Sequence, residues 1–339
     1  MGKAAAEPCG LVGRAATLGK LYFRALRPTP EETAMTRPRR SILSVPGHRS
    51  RMHQKASRST ADVVMLDLED SVPLASKADA RRAVIESLRN LEWRGKICTV
   101  RINGVDTAFG FRDLLDVVLQ AGQALHAVVL PKVDHPGDIH FASRLLDGIE
   151  MERRMHASIG IEASIESAAG MQAIAEIADA SRRVESLVFG IADYSASIGA
   201  RLVSLSGHGE NETEIYPGHR WNFALSRLVM TAKARGLAAI DSPYGNFKDP
   251  EGLRYAAAIA CALGCDGKWA IHPDQTDTIN AVFSPSPAEI ARARRILDAY
   301  ENAQKAGLGA AAIDGRMIDN ATVRLARRLW EQAECLGLV

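Results

Sequence analysis

Three carboxylates crowd the stretch "ADVVMLDLEDSVP" at residues 61–73. Val63, Val64, Met65, Leu66 and Leu68 read as a strand buried on both faces, with Asp67, Glu69 and Asp70 at its end. A buried carboxylate is costly unless a cation or hydrogen bonds compensate it. Residues of matching chemistry recur at the ends of other apolar runs: Arg101 and Asn103, Lys132, Glu162 and Glu166, Asp193, Asp241, and His272. Glu166 and Asp193 come from consecutive runs with no Cys or His beside them. Two such carboxylates suit a hard cation, Mg²⁺ or Mn²⁺, with water and substrate oxygens completing the octahedron. The competing reading pairs both with Arg and Lys side chains. A guanidinium at Arg101 suits a carboxylate or a developing oxyanion; it also suits the "DLED" acids, and the two roles coexist. His272, in "KWAIHP", is open to three readings: acid/base, hydrogen-bonding group or filler of a pocket edge. The context favours the edge. His48 and His53 flank the basic run Arg49, Arg51 and Lys55, which reads as a phosphate-binding loop or a solvated face. HExxH, P-loop, GxSxG and zinc-ribbon spacings are absent from the sequence.

The elements that must carry these residues are short apolar runs alternating with longer amphipathic ones. The runs are "SILSVPG" (41–47), "DVVMLDLED" (62–70), "ICTVRIN" (97–103), "HAVVLPKV" (126–133), "SIGIEASIES" (158–167), "SLVFGIADY" (186–194), "LAAIDSP" (237–243) and "KWAIHP" (268–273). They are near-continuous and rich in β-branched residues, as parallel strands are. Helical patterns such as "SKADARRAVIESLRNL" and "DPEGLRYAAAIACALG" lie between them, the second with Pro near its start and Gly at its end. Repeated β-then-α units in this number predict an α/β fold, a (β/α)8 TIM barrel with a C-terminal helical extension. A doubly wound sheet is the rival; it wants a Gly-rich phosphate loop after its first strand, and "SVPGHRSRM" is not one. In a TIM barrel the C-terminal rim builds the active site, so the acids are expected at that rim, facing Arg101, Lys132 and a metal. "SASIGARLVSLSGHGENETEIYPGHR" reads as a long loop over the mouth. Helical stretches at 287–305 and 319–336, joined by the Gly/Ala linker "KAGLGAAAIDGRM", follow the last strand.

The domains are therefore expected as a tail at 1–38, disordered or preceding a true start at Met35, a catalytic barrel at 39–285, and a helical segment at 286–339. The tail lacks the continuous apolar core of a secretory signal, and "MGKAAA" lacks the Ser/Thr of a myristoylation signal; a basic transit peptide is the other reading of it. The 339 residues are 47% hydrophobic and 24% charged with net charge +2, which points to a globular protein and away from nucleic acid and anionic membrane as partners. No apolar run reaches a membrane span's length. Five scattered cysteines (Cys9, Cys98, Cys261, Cys265, Cys335) read as reduced thiols of a cytoplasmic protein.

The stretches "ADVVMLDLEDSVP", "VRINGVDT", "VLPKV", "IEASIESAAGM", "FGIADYSAS", "AAIDSPYGNFKDPEG", "LGCDGKWAIHPDQ" and "VFSPS", in this order, resemble the citrate lyase β-subunit-like (HpcH/HpaI aldolase) family. The resemblance covers roughly residues 39–336 and is closest to the malyl-CoA/β-methylmalyl-CoA lyase branch. It implies Mg²⁺-dependent cleavage or formation of a carbon–carbon bond beside a CoA thioester, with glyoxylate and acetyl-CoA or propionyl-CoA as products. Related alternatives are a malyl-CoA thioesterase, a citramalyl-CoA lyase and a citryl lyase of the citrate lyase β-subunit type. Carried over position by position, Glu166 and Asp193 resemble the metal ligands, and Arg101 the residue holding the keto-acid and thioester oxygens. Arg49 and Lys55 match basic positions contacting CoA. Ala192 matches a backbone contact beside the metal, and Ile271 and His272 match substrate-lining positions. Ser44 and Val45 occupy CoA-binding positions where lyase relatives often carry an aromatic residue. Asp319 matches the acid/base that such proteins bring from the C-terminal segment of a neighbouring subunit, which implies a homo-oligomer, trimer or hexamer. The implied partners are an acyl-CoA thioester and a small 2-oxo acid. The "DLED" acids are expected to orient Arg101 and water on the metal.

Overall fold

The computed structural model describes residues 38–93, 95–202, 204–205, 207–210, 219–307, 311–313 and 315–339. The expected tail, apart from Pro38, and much of the expected mouth loop lie outside the described residues.

Strands β1 (Ser41–Pro46), β2 (Val63–Asp67), β3 (Ile97–Arg101), β4 (Ala127–Leu130), β5 (Gly160–Ile165), β6 (Val184–Phe189), β7 (Ala238–Asp241) and β8 (Gly267–Ala270) pair in sequence order and close into a barrel. All the barrel pairings are parallel, and β8 returns to β1 through Ile42 and Trp269. The TIM barrel read from the alternating runs is the fold. Each run is apolar on both faces because one face fills the barrel and the other packs under helices.

Alternation assigns the two faces. Ile42, Val63, Met65, Ile97, Val129, Val188, Ile240 and Trp269 pack together inside the barrel. Their neighbours Leu43, Val45, Val64, Leu66, Val100, Val128, Leu130 and Ala239 join the larger outer core beneath the helices. Following the registers upward, Ile42, Thr99, Glu162 and Ile240 form one interior level, and Met65, Val129, Val188 and Trp269 the next. Ser44, Arg101, Ser164 and Ser242 lie above them. Alternate strands supply alternate levels, as barrel closure requires. The level nearest the C-terminal rim is polar, whereas the levels beneath it are apolar apart from Thr99 and Glu162.

The helices packed on this frame begin and end where local chemistry dictates. These are α1 (Ser50–Ala56), α2 (Lys77–Asn90), α3 (Gly110–Ala121), α4 (Pro136–Arg153), α5 (Ala168–Gln172), α6 (Ile174–Asp179), α7 (Ile191–Ser197), α8 (Asn222–Lys233), α9 (Pro250–Leu263) and α10 (Thr276–Phe283). In α9 the Asp249 carboxylate accepts from the Gly252 N–H at 3.0 Å, Pro250 takes the first turn, and Gly264 ends the helix at φ +100. That is the cap and stop logic of "DPEG…LG".

The C-terminal segment differs from expectation in one respect. Helices α11 (Pro287–Lys305) and α12 (Asn320–Cys335) match the predicted stretches, but the Gly/Ala linker contains a hairpin. Strands β9 (Ala311–Ile313) and β10 (Arg316–Ile318) pair antiparallel, with Gly315 at φ +74. The Asp-Gly pair between short apolar triplets is a hairpin signal that the surrounding Ala and Gly obscure. Helix α12 packs along α11 and reaches the barrel through Arg328 to Asp266 at 3.3 Å and Gln332 to the Phe283 carbonyl at 2.9 Å.

Candidate active site at the barrel mouth

The β2 and β3 ends place Asp67 opposite Arg101 in register. The Arg101 Nε and Nη2 donate to the two Asp67 oxygens, both at 2.7 Å, and Nη1 lies 3.0 Å from Glu69 Oε2. Asp67 also accepts from the backbone N–H of Glu69 and of Ser71. From below, the Trp269 ring faces the guanidinium at 5.4 Å. Burial opposes the Arg101 charge, but Asp67 and Glu69 outweigh it and hold the pKa above its ordinary range. Burial likewise works against the Asp67 carboxylate, yet Arg101 keeps its pKa below the usual value. The rim acids are therefore compensated, in part, by the cation that the sequence placed among them.

Lys132 follows β4. Its Nζ lies 2.5 Å from Glu69 Oε1, 3.3 Å from Asp70 Oδ2 and 4.0 Å from Asp193 Oδ2. Burial works against the charge on Lys132, but Glu69 and the other carboxylates raise its pKa. Burial raises the pKa of Glu69, with Arg101 and Lys132 opposing.

Glu166 stands immediately after β5 and is 3% exposed. Its Oε1 is buried without a hydrogen-bond partner among the described residues. Burial pushes its pKa up to about 7, with Glu69 and Asp193 adding to the rise and Arg101 opposing it. Gly190, at the end of β6, leaves room for this side chain: a Cβ there would lie 2.5 Å from Glu166 Cγ. Asp193 does not lie on the sixth strand as the apolar run suggested. The strand stops at Phe189, the chain turns at Gly190, and Asp193 occupies the first turn of α7, half-exposed. It nonetheless faces Glu166 closely enough to act on its charge.

A divalent cation fits this arrangement. Arg101 and Lys132 face the carboxylates of Asp67, Glu69, Asp70, Glu166 and Asp193, so negative charge is in excess. The buried oxygen of Glu166 lacks the partner such a group needs. Among the described residues no three His, Cys, Asp or Glu side chains form a closed cage. An oxygen-poor protein site that leaves positions for water and substrate is what Mg²⁺ accepts.

The remaining residues singled out from sequence divide by location. Ser44 belongs to the polar interior level with Arg101, whereas the Val45 side chain points into the outer core, 4% exposed. A Val45 contact with a ligand is thus left to its backbone. Arg49 and Lys55 are exposed at the start and within α1, so the basic stretch is a short helix rather than a loop. His53 is not part of a basic face. It is fully buried, bonded to Ser87 Oγ at 2.7 Å and the Pro46 carbonyl at 3.1 Å, and burial lowers its pKa. Ala192 sits beside Asp193, with Gly207 of the long insertion against it. Ile271 is exposed. His272 caps the turn at Pro273–Gln275, accepting from the Asp274 N–H, and stacks on Phe247 with ring centroids 4.8 Å apart. Asp319 is not joined to this cluster. It caps α12, accepting from the Thr322 N–H at 2.8 Å and hydroxyl at 2.9 Å. Asp241 pairs with Lys268 behind the barrel wall.

Two neighbours of the cluster carried no distinct sequence signal. Trp269 reads simply as an apolar strand residue, although its spacing of two from Ile271 places both on one face. Phe247 lies in a loop without periodicity.

The HpcH/HpaI aldolase/citrate lyase family model matches residues 40–273. The chain belongs to that family. An L-malyl-CoA/beta-methylmalyl-CoA lyase from Cereibacter sphaeroides is 39% identical, over 94% of this chain and 100% of the relative. A (3S)-malyl-CoA thioesterase from the same species is 34% identical, over 88% of this chain and 96% of the relative. Among solved structures, CitE from Mycobacterium tuberculosis in complex with magnesium, acetoacetate and coenzyme A has a TM-score of 0.68 and 29% identity, covering 89% of this chain and 99% of that one.

Proposed function

We propose that this protein is a Mg²⁺-dependent carbon–carbon lyase that cleaves or forms malyl-CoA and β-methylmalyl-CoA, with glyoxylate and acetyl-CoA or propionyl-CoA as the other partners. The observation that carries the metal-dependent chemistry is the partnerless buried oxygen of Glu166, beside Asp193 and near a guanidinium held by two carboxylates. Full-length similarity to the malyl-CoA lyase supports the substrate class.

Glu166 and Asp193 would hold the cation. When bound, it acts as a Lewis acid toward the hydroxyl and carboxylate oxygens of the substrate. Arg101 presents a fixed positive charge. Asp67 takes two of its N–H groups and fixes its plane, leaving others for the thioester oxygen as enolate charge develops. A donor in such a position contributes about 3–4 kcal/mol to the transition state. Exposed Arg49 and Lys55 supply charge for the CoA phosphates. Asp319, arriving from the C-terminal segment of a neighbouring subunit in a trimer or hexamer, protonates the enolate carbon in cleavage. In condensation it removes the proton from the acyl carbon. Its exposed position at the start of α12, away from its own chain's cluster, fits delivery to another copy. Among the described residues no helix is long and apolar enough to cross a membrane; a cytoplasmic location completes the proposal.

The test is incubation of the protein and Mg²⁺ with malyl-CoA, β-methylmalyl-CoA and citramalyl-CoA, with products identified by mass. Glyoxylate with acetyl-CoA or propionyl-CoA is expected. Free malate with CoA would replace the lyase by a thioesterase, and pyruvate from citramalyl-CoA alone would move the substrate. Turnover of none of the three would overturn the proposal.

A further inference from the structure

Among the described residues other than glycine, Lys132 and Arg154 have positive φ, at 50° and 51°. Arg154 is the C-cap of α4, where a left-handed residue is ordinary. Lys132 ends no helix. It follows Pro131 at the end of β4, and the next residue is pinned on both sides. The Val133 N–H donates to the Ser164 carbonyl at 3.0 Å, and the Val133 carbonyl lies where a Cβ on Gly170 would collide with it. A left-handed lysine held in place by its surroundings is local strain, and strain of this kind gathers at functional sites.

The side chain shows what the strained position accomplishes. Its ammonium spans carboxylates from two separate elements: Glu69 and Asp70 after β2, and Asp193 in the first turn of α7. Glu69 in turn faces Arg101. Asp193 and Arg101, on opposite sides of the mouth, are therefore linked through Lys132 and Glu69. We propose that Lys132 is a positioning residue of the barrel mouth, a cationic strap that sets Asp193 and Glu69 at the separation needed for the divalent cation and the Arg101 charge to act together. This rests on the metal-dependent reading of the site. The lysine acts through the carboxylates it spaces rather than by touching the reacting atoms.

Three variants separate this role from a structural one. Lys132→Met keeps the strained backbone and the apolar stem but removes the charge, Lys132→Arg restores a charge, and Lys132→Gly removes the charge and relieves the strain. Mn²⁺ binding to the free protein is read by electron paramagnetic resonance, thermal midpoints by scanning fluorimetry, and malyl-CoA cleavage by product formation. In Lys132→Met, Mn²⁺ affinity and kcat should each fall about tenfold or more, as is usual when a group orienting a metal ligand is lost. The KM for malyl-CoA should stay near that of the unsubstituted protein. Lys132→Arg should recover part of both losses. Lys132→Gly should match Lys132→Met in function while melting at the same or a higher temperature. Unchanged Mn²⁺ affinity in Lys132→Met would overturn the proposal, as would a Lys132→Gly protein that melts lower and loses activity in proportion. If the unsubstituted protein binds Mn²⁺ but cleaves no malyl-CoA, the substrate reading fails, and the Mn²⁺ and melting comparisons still decide the role of Lys132.

Discussion

The barrel carries a buried arginine–carboxylate network at each end, and the two are built to different purposes. At the floor Arg39 binds Glu162 from the barrel interior and Glu185 at 2.6 Å, and the carbonyls of Arg39 and Arg40 press against Gly267. One chain supplies every member, and the network closes the bottom of the barrel. At the mouth Arg101 binds Asp67 and Glu69, but Lys132, Asp70, Asp193 and Glu166 extend the cluster. There the carboxylates outnumber the cations, a lysine is strained, and Glu166 keeps a buried oxygen without a partner. Both ends bury similar groups. The floor also leaves one buried oxygen, Glu162 Oε2, without a hydrogen-bond partner among the described residues, but there Arg39 holds the other oxygen. The mouth adds a left-handed Lys132 and the two acids Glu166 and Asp193 facing one another, and those features mark it as the site of chemistry.

The largest test of this contrast removes the partnerless carboxylate. Glu166→Gln should abolish metal-dependent turnover, because a neutral amide is a poor ligand for a hard dication. In metal-free buffer the same protein should be more stable by about 1 kcal/mol, since an uncompensated buried charge is gone. Chelator-treated samples compared in urea, alongside activity across a Mg²⁺ series, provide the measurement. If Glu166→Gln retains turnover, the mouth is merely another ion network and the contrast collapses.

The architecture was legible because strand and helix periods differ and the apolar runs are clean. Polar residues at the run ends identified most of the rim, but two of them lie elsewhere: Glu162 is inside the barrel at its floor, bonded to Arg39, and Asp241 pairs with Lys268 behind the wall. What stayed hidden follows from the same cleanness. A run that is apolar on both faces does not say which residue points inward, and the resemblance that places Ser44 and Val45 together at CoA-binding positions carries no side-chain direction; the two side chains face opposite ways. The pattern of "GIADY" continues an apolar run and so places Asp193 on β6; only the turn at Gly190 moves it to α7. His53 sits in a basic stretch by sequence and in the core by helical phase. The left-handed backbone of Lys132 leaves no trace in residue types, because glycine, not lysine, signals such a position.

The next effect asks whether the mouth is completed from outside. Asp319→Asn should lower cleavage by about 10²–10⁴-fold, the range of a lost general acid or base. Asparagine caps a helix as well as aspartate does, so the fold of α12 and the binding of CoA esters should persist. Normal cleavage in Asp319→Asn would place the acid/base elsewhere. Mixing Asp319→Asn with Arg101→Lys protein sharpens the point further. If subunits share sites, mixed oligomers recover activity that neither parent has; recovery in no mixture would confine the site to one chain.

The smallest effect on catalysis belongs to the floor. Arg39→Met strips Glu162 of its cation while leaving the mouth untouched. Breaking a buried pair from one side typically costs about 3–5 kcal/mol, and the exposure of Glu185 puts the expected loss near the lower figure. The sign of its pH dependence follows from Glu162. Burial already raises that carboxyl above its ordinary pKa, with Arg39 opposing; without Arg39 it rises further. A group whose folded pKa exceeds its unfolded value loses stability as pH rises through the folded pKa. The stability deficit of Arg39→Met should therefore be small near pH 5 and grow toward pH 8, measured by urea unfolding, while kcat per folded molecule stays unchanged. A fall in kcat with no loss of stability would mean that the two networks are coupled through the barrel interior, and that the floor is part of the catalytic apparatus after all.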